Sequence, residues 1–115
     1  MAGNKMAKVS EQMKRYIVEI LSREVKDSKL GFVTVTHTEV TNDLSFCKVY
    51  FTVYGAGYKE RDAKAALERS KGFIRSELAK RMSTMRKMPE LIFVVDESTK
   101  YGNKIDEMLA NLNRD

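Results

Sequence analysis

Between Arg61 and Met85, small or apolar side chains recur at Ala63, Ala66, Leu67, Ser70, Phe73, Ile74, Leu78, Met82 and Met85, a spacing of three and four that commits this stretch to helix with one buried face. Gly72 interrupts the pattern in its middle. In a helix interior glycine is about 1 kcal/mol less favourable than alanine, so it either breaks the helix at a kink or lets something approach the backbone closely. The expectation is two helices joined by an interhelical kink at Ser70, Lys71 and Gly72; the plainer alternative is a joint with no further role.

The rest of the chain falls into elements around that pair. Val9, Met13, Tyr16, Ile17, Ile20, Leu21 and Val25 form one stripe of a first helix expected from about Lys5 to Asp27. Gly31 closes the connection to a strand over residues 32–41, whose apolar phase shifts between Val35 and Val40 and predicts a bulge near Thr36 or His37. Asn42 and Asp43 mark a tight turn. A second strand, residues 45–54, alternates with Cys47, Val49, Phe51 and Val53 on one face and Phe46, Lys48, Tyr50, Thr52 and Tyr54 on the other. Pro89 stops the helical region, and residues 91–95 read as a short buried strand. A short C-terminal helix is expected, with Ser98 as its cap and Ile105, Met108, Leu109 and Leu112 on its apolar face. Strand, helix pair, strand implies a crossover that sets the third strand parallel to the second, beside an antiparallel first hairpin. The fold class is α+β, one domain over residues 1–115, with helices on one sheet face.

Little in the chain supports catalysis. His37 is the single histidine and Cys47 the single cysteine, so no zinc site can be built and no internal disulfide formed. Gly55-Ala56-Gly57 lacks the third glycine of a phosphate loop and reads as a turn. The acid pairs Asp96-Glu97 and Asp106-Glu107 read as solvation or helix-terminal charge. No enzyme, metal or cofactor is expected. No apolar signal region follows Met1 and no window reaches membrane-span length, so the expected place is the cytoplasm, with no membrane partner.

Charge is segregated along the chain. Residues 59–88 carry ten Lys or Arg against four acids, a balance of +6, while the whole chain is only +5. Residues 1–29 add +3, residues 30–58 are −1 and residues 89–115 are −3. At 3.6 residues per turn, the helix face opposite Ile74, Leu78, Met82 and Met85 is lined by Gly72, Ser76, Ala79 and Ser83, all small. Arg75 and Arg86 flank that stripe on one side, and Arg69, Lys80 and Lys87 on the other. Small residues between basic rails let a sugar-phosphate backbone come close and be neutralised; a helix-packing groove or a solvated face is the competing reading. Glu77 and Arg81, at i and i+4, form a structural ion pair.

This order resembles a type II KH domain without the G-x-x-G loop that clamps nucleic acid; Ser70-Lys71-Gly72 stands in its place. Val33-Thr34-Val35-Thr36, Glu39-Val40-Thr41, Asp43-Leu44-Ser45, Lys48-Val49-Tyr50, Lys71-Gly72-Phe73-Ile74-Arg75-Ser76-Glu77-Leu78 and Pro89-Glu90-Leu91, with Phe93 and Asp96, are similar to the ribosome-binding factor A family, which carries a small-x-Gly interhelical kink. The departures are Ser70, where the family usually has alanine, and Thr38, where it more often has an aliphatic; the extended tail of some members is also lacking. The resemblance implies a monomeric bacterial assembly factor that binds the free small (30S) ribosomal subunit and 16S rRNA near the decoding region. It implies a role in late maturation, including processing of the rRNA 5′ end and growth in the cold, without cleavage of RNA, and release helped by an assembly GTPase. The RNA-binding residues expected are Arg69, Lys71, Arg75, Ser76, Lys80, Arg86 and Lys87.

Two other readings stay open. One is a generic single-stranded RNA or DNA binder that stacks bases on Phe46, Tyr50 or Tyr54. The other is a protein interaction domain whose small-residue stripe and Met-rich helix receive a partner helix.

Overall fold

The computed structural model describes residues 2–25, 33–54 and 59–97. In chain order these form α1 (Ala2–Arg23), β1 (Val33–Val40), β2 (Phe46–Val53), α2 (Glu60–Arg81) and β3 (Glu90–Val95). α1 starts at Ala2, before the expected Lys5. It closes earlier too, where the Glu24 and Val25 N–H groups both donate to the Ile20 carbonyl, at 2.9 and 3.2 Å.

The three strands form one sheet in the order β1-β2-β3. β1 pairs antiparallel with β2 from Val33 opposite Val53 to Val40 opposite Cys47, and the register slips between Val35 and His37. The expected bulge is therefore at Thr36, and it restores the inward phase: Val35, Thr38 and Val40 are all buried. The turn between the strands is closed by side chains. The Thr41 hydroxyl donates to Asp43 Oδ1 (2.9 Å), which also accepts the Ser45 N–H (3.0 Å); these bonds, Ser45 first, hold the Asp43 carboxyl below the usual carboxylate range. β3 runs parallel to β2, Phe46 opposite Glu90 through Phe51 opposite Val95, as the crossover expectation required.

Both helices lie over one sheet face, where Met13, Ile17, Ile20, Cys47, Val49, Phe51, Leu67, Ile74, Leu78, Leu91 and Phe93 make the core. Thr38 is the polar exception at 2 % exposure. Its hydroxyl donates to the Ser10 carbonyl, while Ser10 Oγ accepts the Val40 N–H at 3.1 Å, so a hydroxyl replaces an aliphatic here without an unsatisfied group. Phe46, Lys48, Tyr50, Ile92 and Val94 lie on the other face, which no described element covers. The expected C-terminal helix, with Ser98, Ile105, Met108, Leu109 and Leu112, lies outside the described residues, as do Gly31 and the Gly55-Ala56-Gly57 turn.

One expectation is corrected. The two central helices are a single helix, α2, running through Ser70, Lys71 and Gly72. Its buried residues Ala63, Ala66, Leu67, Ile74 and Leu78 follow one unbroken stripe, and Gly72 falls on the opposite, exposed side. Glycine sits there without a joint because nothing touches it: an added Cβ would meet no atom within 4 Å, and its φ is not positive. The helix ends at Arg81 rather than Met85, closed by the Met82 N–H donating to the Leu78 carbonyl at 2.8 Å. Gly72→Ala should therefore stabilise the protein by about 1 kcal/mol, the opposite sign from a kinked glycine. A urea melt reads it, and a loss of stability would restore the kink.

Cys47 is fully buried on the core face of β2, and burial pushes its thiol from an ordinary 9.0 up to about 11. Native protein should react with a thiol reagent at pH 8 only as fast as it opens, while urea-unfolded protein reacts at once. Because the folded state holds the proton more tightly than the unfolded chain, this group's stabilising effect is complete below about pH 9 and lost as pH rises from there towards 11.

Candidate nucleic-acid interface

α2 exposes to solvent the side that its core stripe leaves over. Gly72, Ser76 and Ala79 are exposed, opposite the fully buried Ile74 and Leu78, as the 3.6-residue period requires. Ser83 is also exposed but follows the end of the helix. The small stripe exists, over fewer turns than expected.

The basic residues do not form two equal rails. Arg69 and Lys80 are exposed on the outer part of α2, and Arg86 and Lys87 are exposed on the connection to β3. Lys80 reaches Glu77 at 3.1 Å with its own side chain 70 % exposed, a contact that a phosphate can displace at little cost. Lys87 Nζ lies 3.4 Å from Ser45 Oγ, which brings the connection beside the start of β2. Lys71 and Arg75 turn the other way. Lys71 pairs with Glu68 at 2.8 Å and holds its Nζ 5.9 Å from the centre of the Phe93 ring. Arg75 Nε and Nη2 donate to the carbonyls of Pro89 and Met88, at 3.2 and 3.0 Å.

Arg75 thus holds the backbone that leads into β3, a role its charge and spacing did not reveal. Nothing in the sequence signalled it: α2 ends at Arg81, well before Pro89, and the Met88 and Pro89 carbonyls come within reach of Arg75 only once the connection folds back to β3. Arg75→Gln should lower stability by roughly 1.5 to 3 kcal/mol, the range for hydrogen bonds from a charged donor. A thermal melt checks this; an unchanged midpoint would free Arg75 of its structural role.

The expected Glu77–Arg81 pair is present at 3.0 Å, and Arg81 also bridges to Glu24 beyond the end of α1. Lys80 and then Arg81 hold the Glu77 carboxyl below its usual range, so it stays ionised and its charge is taken up locally. Phe73, expected in the core, is instead 45 % exposed on the outer side of α2. At the opposite edge of the sheet, α1 and β1 leave a groove of about 340 Å³ lined by Met6, Ser10, Glu11, His37 and Glu39 among others. Its acids disfavour a polyanion, whereas α2 and the connection after it carry the largest local excess of basic residues, +6 over residues 59–88. Among the described residues no group of three His, Cys, Asp or Glu could hold a metal ion, and no helix is long and apolar enough to cross a membrane.

Comparison with known proteins agrees with the resemblance. A family model described as ribosome-binding factor A matches residues 5–109. The ribosome-binding factor A of Macrococcus caseolyticus is 51 % identical over 108 residues, covering 94 % of each chain. The crystal structure of ribosome-binding factor A from Thermus thermophilus superposes with a TM-score of 0.74 at 28 % identity, covering 81 % of this chain and 97 % of that one. A homology model of the Thermus thermophilus factor, fitted into a cryo-electron-microscopy map of a 30S complex, matches with a TM-score of 0.63 at 29 % identity, over 80 % of this chain and 96 % of that one.

Proposed function

The chain belongs to the ribosome-binding factor A family, and from that premise we propose that it is an assembly factor that binds the free 30S subunit and 16S rRNA and promotes late subunit maturation. Its action includes support of 16S rRNA 5′-end processing and of growth in the cold, and it catalyses no cleavage itself. What carries this reading is a likeness spanning nearly the whole chain, to a fold whose Thermus counterpart has been fitted into a 30S complex. Residues 59–88 carry a balance of +6, and the members exposed along α2 and the connection after it, Arg69, Lys80, Arg86 and Lys87 among them, supply the attraction for rRNA phosphate. The antiparallel β1–β2 hairpin and the parallel β2–β3 pair joined through α2 support a KH-like reading in which one continuous helix, running through Ser70, Lys71 and Gly72, replaces the helix pair and its G-x-x-G loop.

Arg69, Ser76, Lys80, Arg86 and Lys87 contact rRNA in this proposal; Lys71 and Arg75 join them from the side nearer β3. The factor acts by population shift, holding one rRNA conformation better than another, so it must leave once the subunit is mature. An assembly GTPase assists that release, and the factor works as a cytoplasmic monomer. Sedimentation with purified subunits tests the proposal: the protein should travel with free 30S subunits and hardly with complete ribosomes. Equal occupancy of both would overturn it.

A further inference from the structure

Four large hydrophobic residues are exposed among the described ones: Val18, Phe46, Tyr54 and Phe73. Phe46 lies on the open sheet face opposite Glu90, where Lys48 is exposed together with two acids, Glu39 and Glu90. Phe73 has different company. On α2 the residues one turn before it and one and two turns after it on the same side are Arg69, Ser76 and Lys80, at i−4, i+3 and i+7; Arg69 and Lys80 are exposed, as is Ser76 at the edge of the small stripe. Beside it the bare backbone of Gly72 has no atom near its missing side chain. The acid one turn further on, Glu77, is paired with both Lys80 and Arg81.

The Phe73 ring is 45 % exposed on a helix side that it shares with Arg69 and Lys80. Burying it would be worth more than leaving it exposed, and the same helix buries Ile74, the very next residue. Stacking platforms for single-stranded nucleic acid combine these two elements: a ring offering its face to a base, and flanking cations that hold the phosphates on either side. From the exposed ring, the flanking Arg69 and Lys80, and the open backbone at Gly72, we propose that Phe73 is a binding residue that stacks on an unpaired base of the rRNA. The inference rests on the 30S-binding reading and adds to it a residue that recognises an unpaired base rather than only phosphate.

The test compares binding of purified 30S subunits by the full chain and its Phe73→Leu, Phe73→Tyr and Phe73→Trp variants, each checked by a thermal melt. Leucine keeps apolar bulk and removes the ring; it should weaken binding roughly 5- to 150-fold, the range that base–aromatic stacking supplies. Tyrosine and tryptophan should bind close to the native protein. The salt dependence should be the same in all four, because stacking releases no counterions. In parallel, Phe73→p-benzoylphenylalanine should cross-link on irradiation to an rRNA nucleotide. Native affinity in the leucine variant, equal weakening in the aromatic variants, or cross-linking to a ribosomal protein alone would overturn the inference while the 30S reading stands. Failure of the native chain to bind 30S subunits would remove both.

Discussion

Glutamine at Lys80, Arg86 and Lys87 together will weaken 30S binding and flatten its dependence on salt. All three side chains are exposed, and the partners seen for Lys80 and Lys87 are Glu77, which keeps Arg81 as a second partner, and the Ser45 hydroxyl. Each phosphate that is no longer neutralised should reduce the log-log salt slope by roughly 0.7 to 0.9, so three lower it by about 2.4. Between 50 and 200 mM salt the variant should then lose about 30-fold less affinity than the native protein does. Arg75 is best left out of the set, because its guanidinium holds the Met88 and Pro89 carbonyls and its loss would confuse binding with stability. A variant that keeps both affinity and slope would move the phosphate-binding groups elsewhere, with the basic residues of α1 as the next place to look.

The largest effect on stability is expected at Phe93. It is 1 % exposed, stands opposite Val49 in the parallel pairing, and lies beneath the Lys71 ammonium of α2. Phe93→Ala removes the ring from a packed site between sheet and helix and should cost about 3 to 5 kcal/mol. For a domain of this length that is a large share of a total stability of about 6 to 17 kcal/mol. A urea titration should show a lower midpoint with an unchanged slope. A loss below about 1.5 kcal/mol would mean that α2 settles into the space, and that the β3 side of the core is softer than its burial implies.

Much of this fold was legible in the sequence because it is written in periodicity. The alternation of Cys47, Val49 and Phe51 gave β2 its inward face, and the phase change between Val35 and Val40 located the bulge. Both signals rest on side chains that must be buried. The misreadings occur where burial does not decide. Gly72 faces solvent, so its low helix propensity is tolerated by tertiary packing on the far side of α2 and carries no message about a joint. Phe73 neighbours the buried Ile74, and a three-four spacing accepts either residue as core; only the third dimension separates them. For the site, charge was legible and direction was not. Lys71 and Arg75 carry the same charge as Lys80 and Arg86, yet the first pair leans on Phe93 and on the carbonyls before β3. No property of a lone sequence distinguishes a guanidinium used for structure from one offered to a partner.

The parallel pairing of β2 with β3 also fixes when this protein can first become folded. Leu91 and Phe93 join the core from the last described strand, with the whole of α2 lying between them and the strand they pair with. During synthesis a chain lengthens at about 5 to 20 residues per second, so α2 leaves the peptide exit with nothing of β3 for its apolar stripe to lie on. The hairpin can pair early, because its contacts are local; the β2 edge that β3 will occupy stays bare until Glu90 to Val95 emerge. From the end of α2 to Val95 is 14 residues, so for roughly 1 to 3 seconds the newborn factor is a hairpin and two unsettled helices. The sheet is closed only by the last of its described strands.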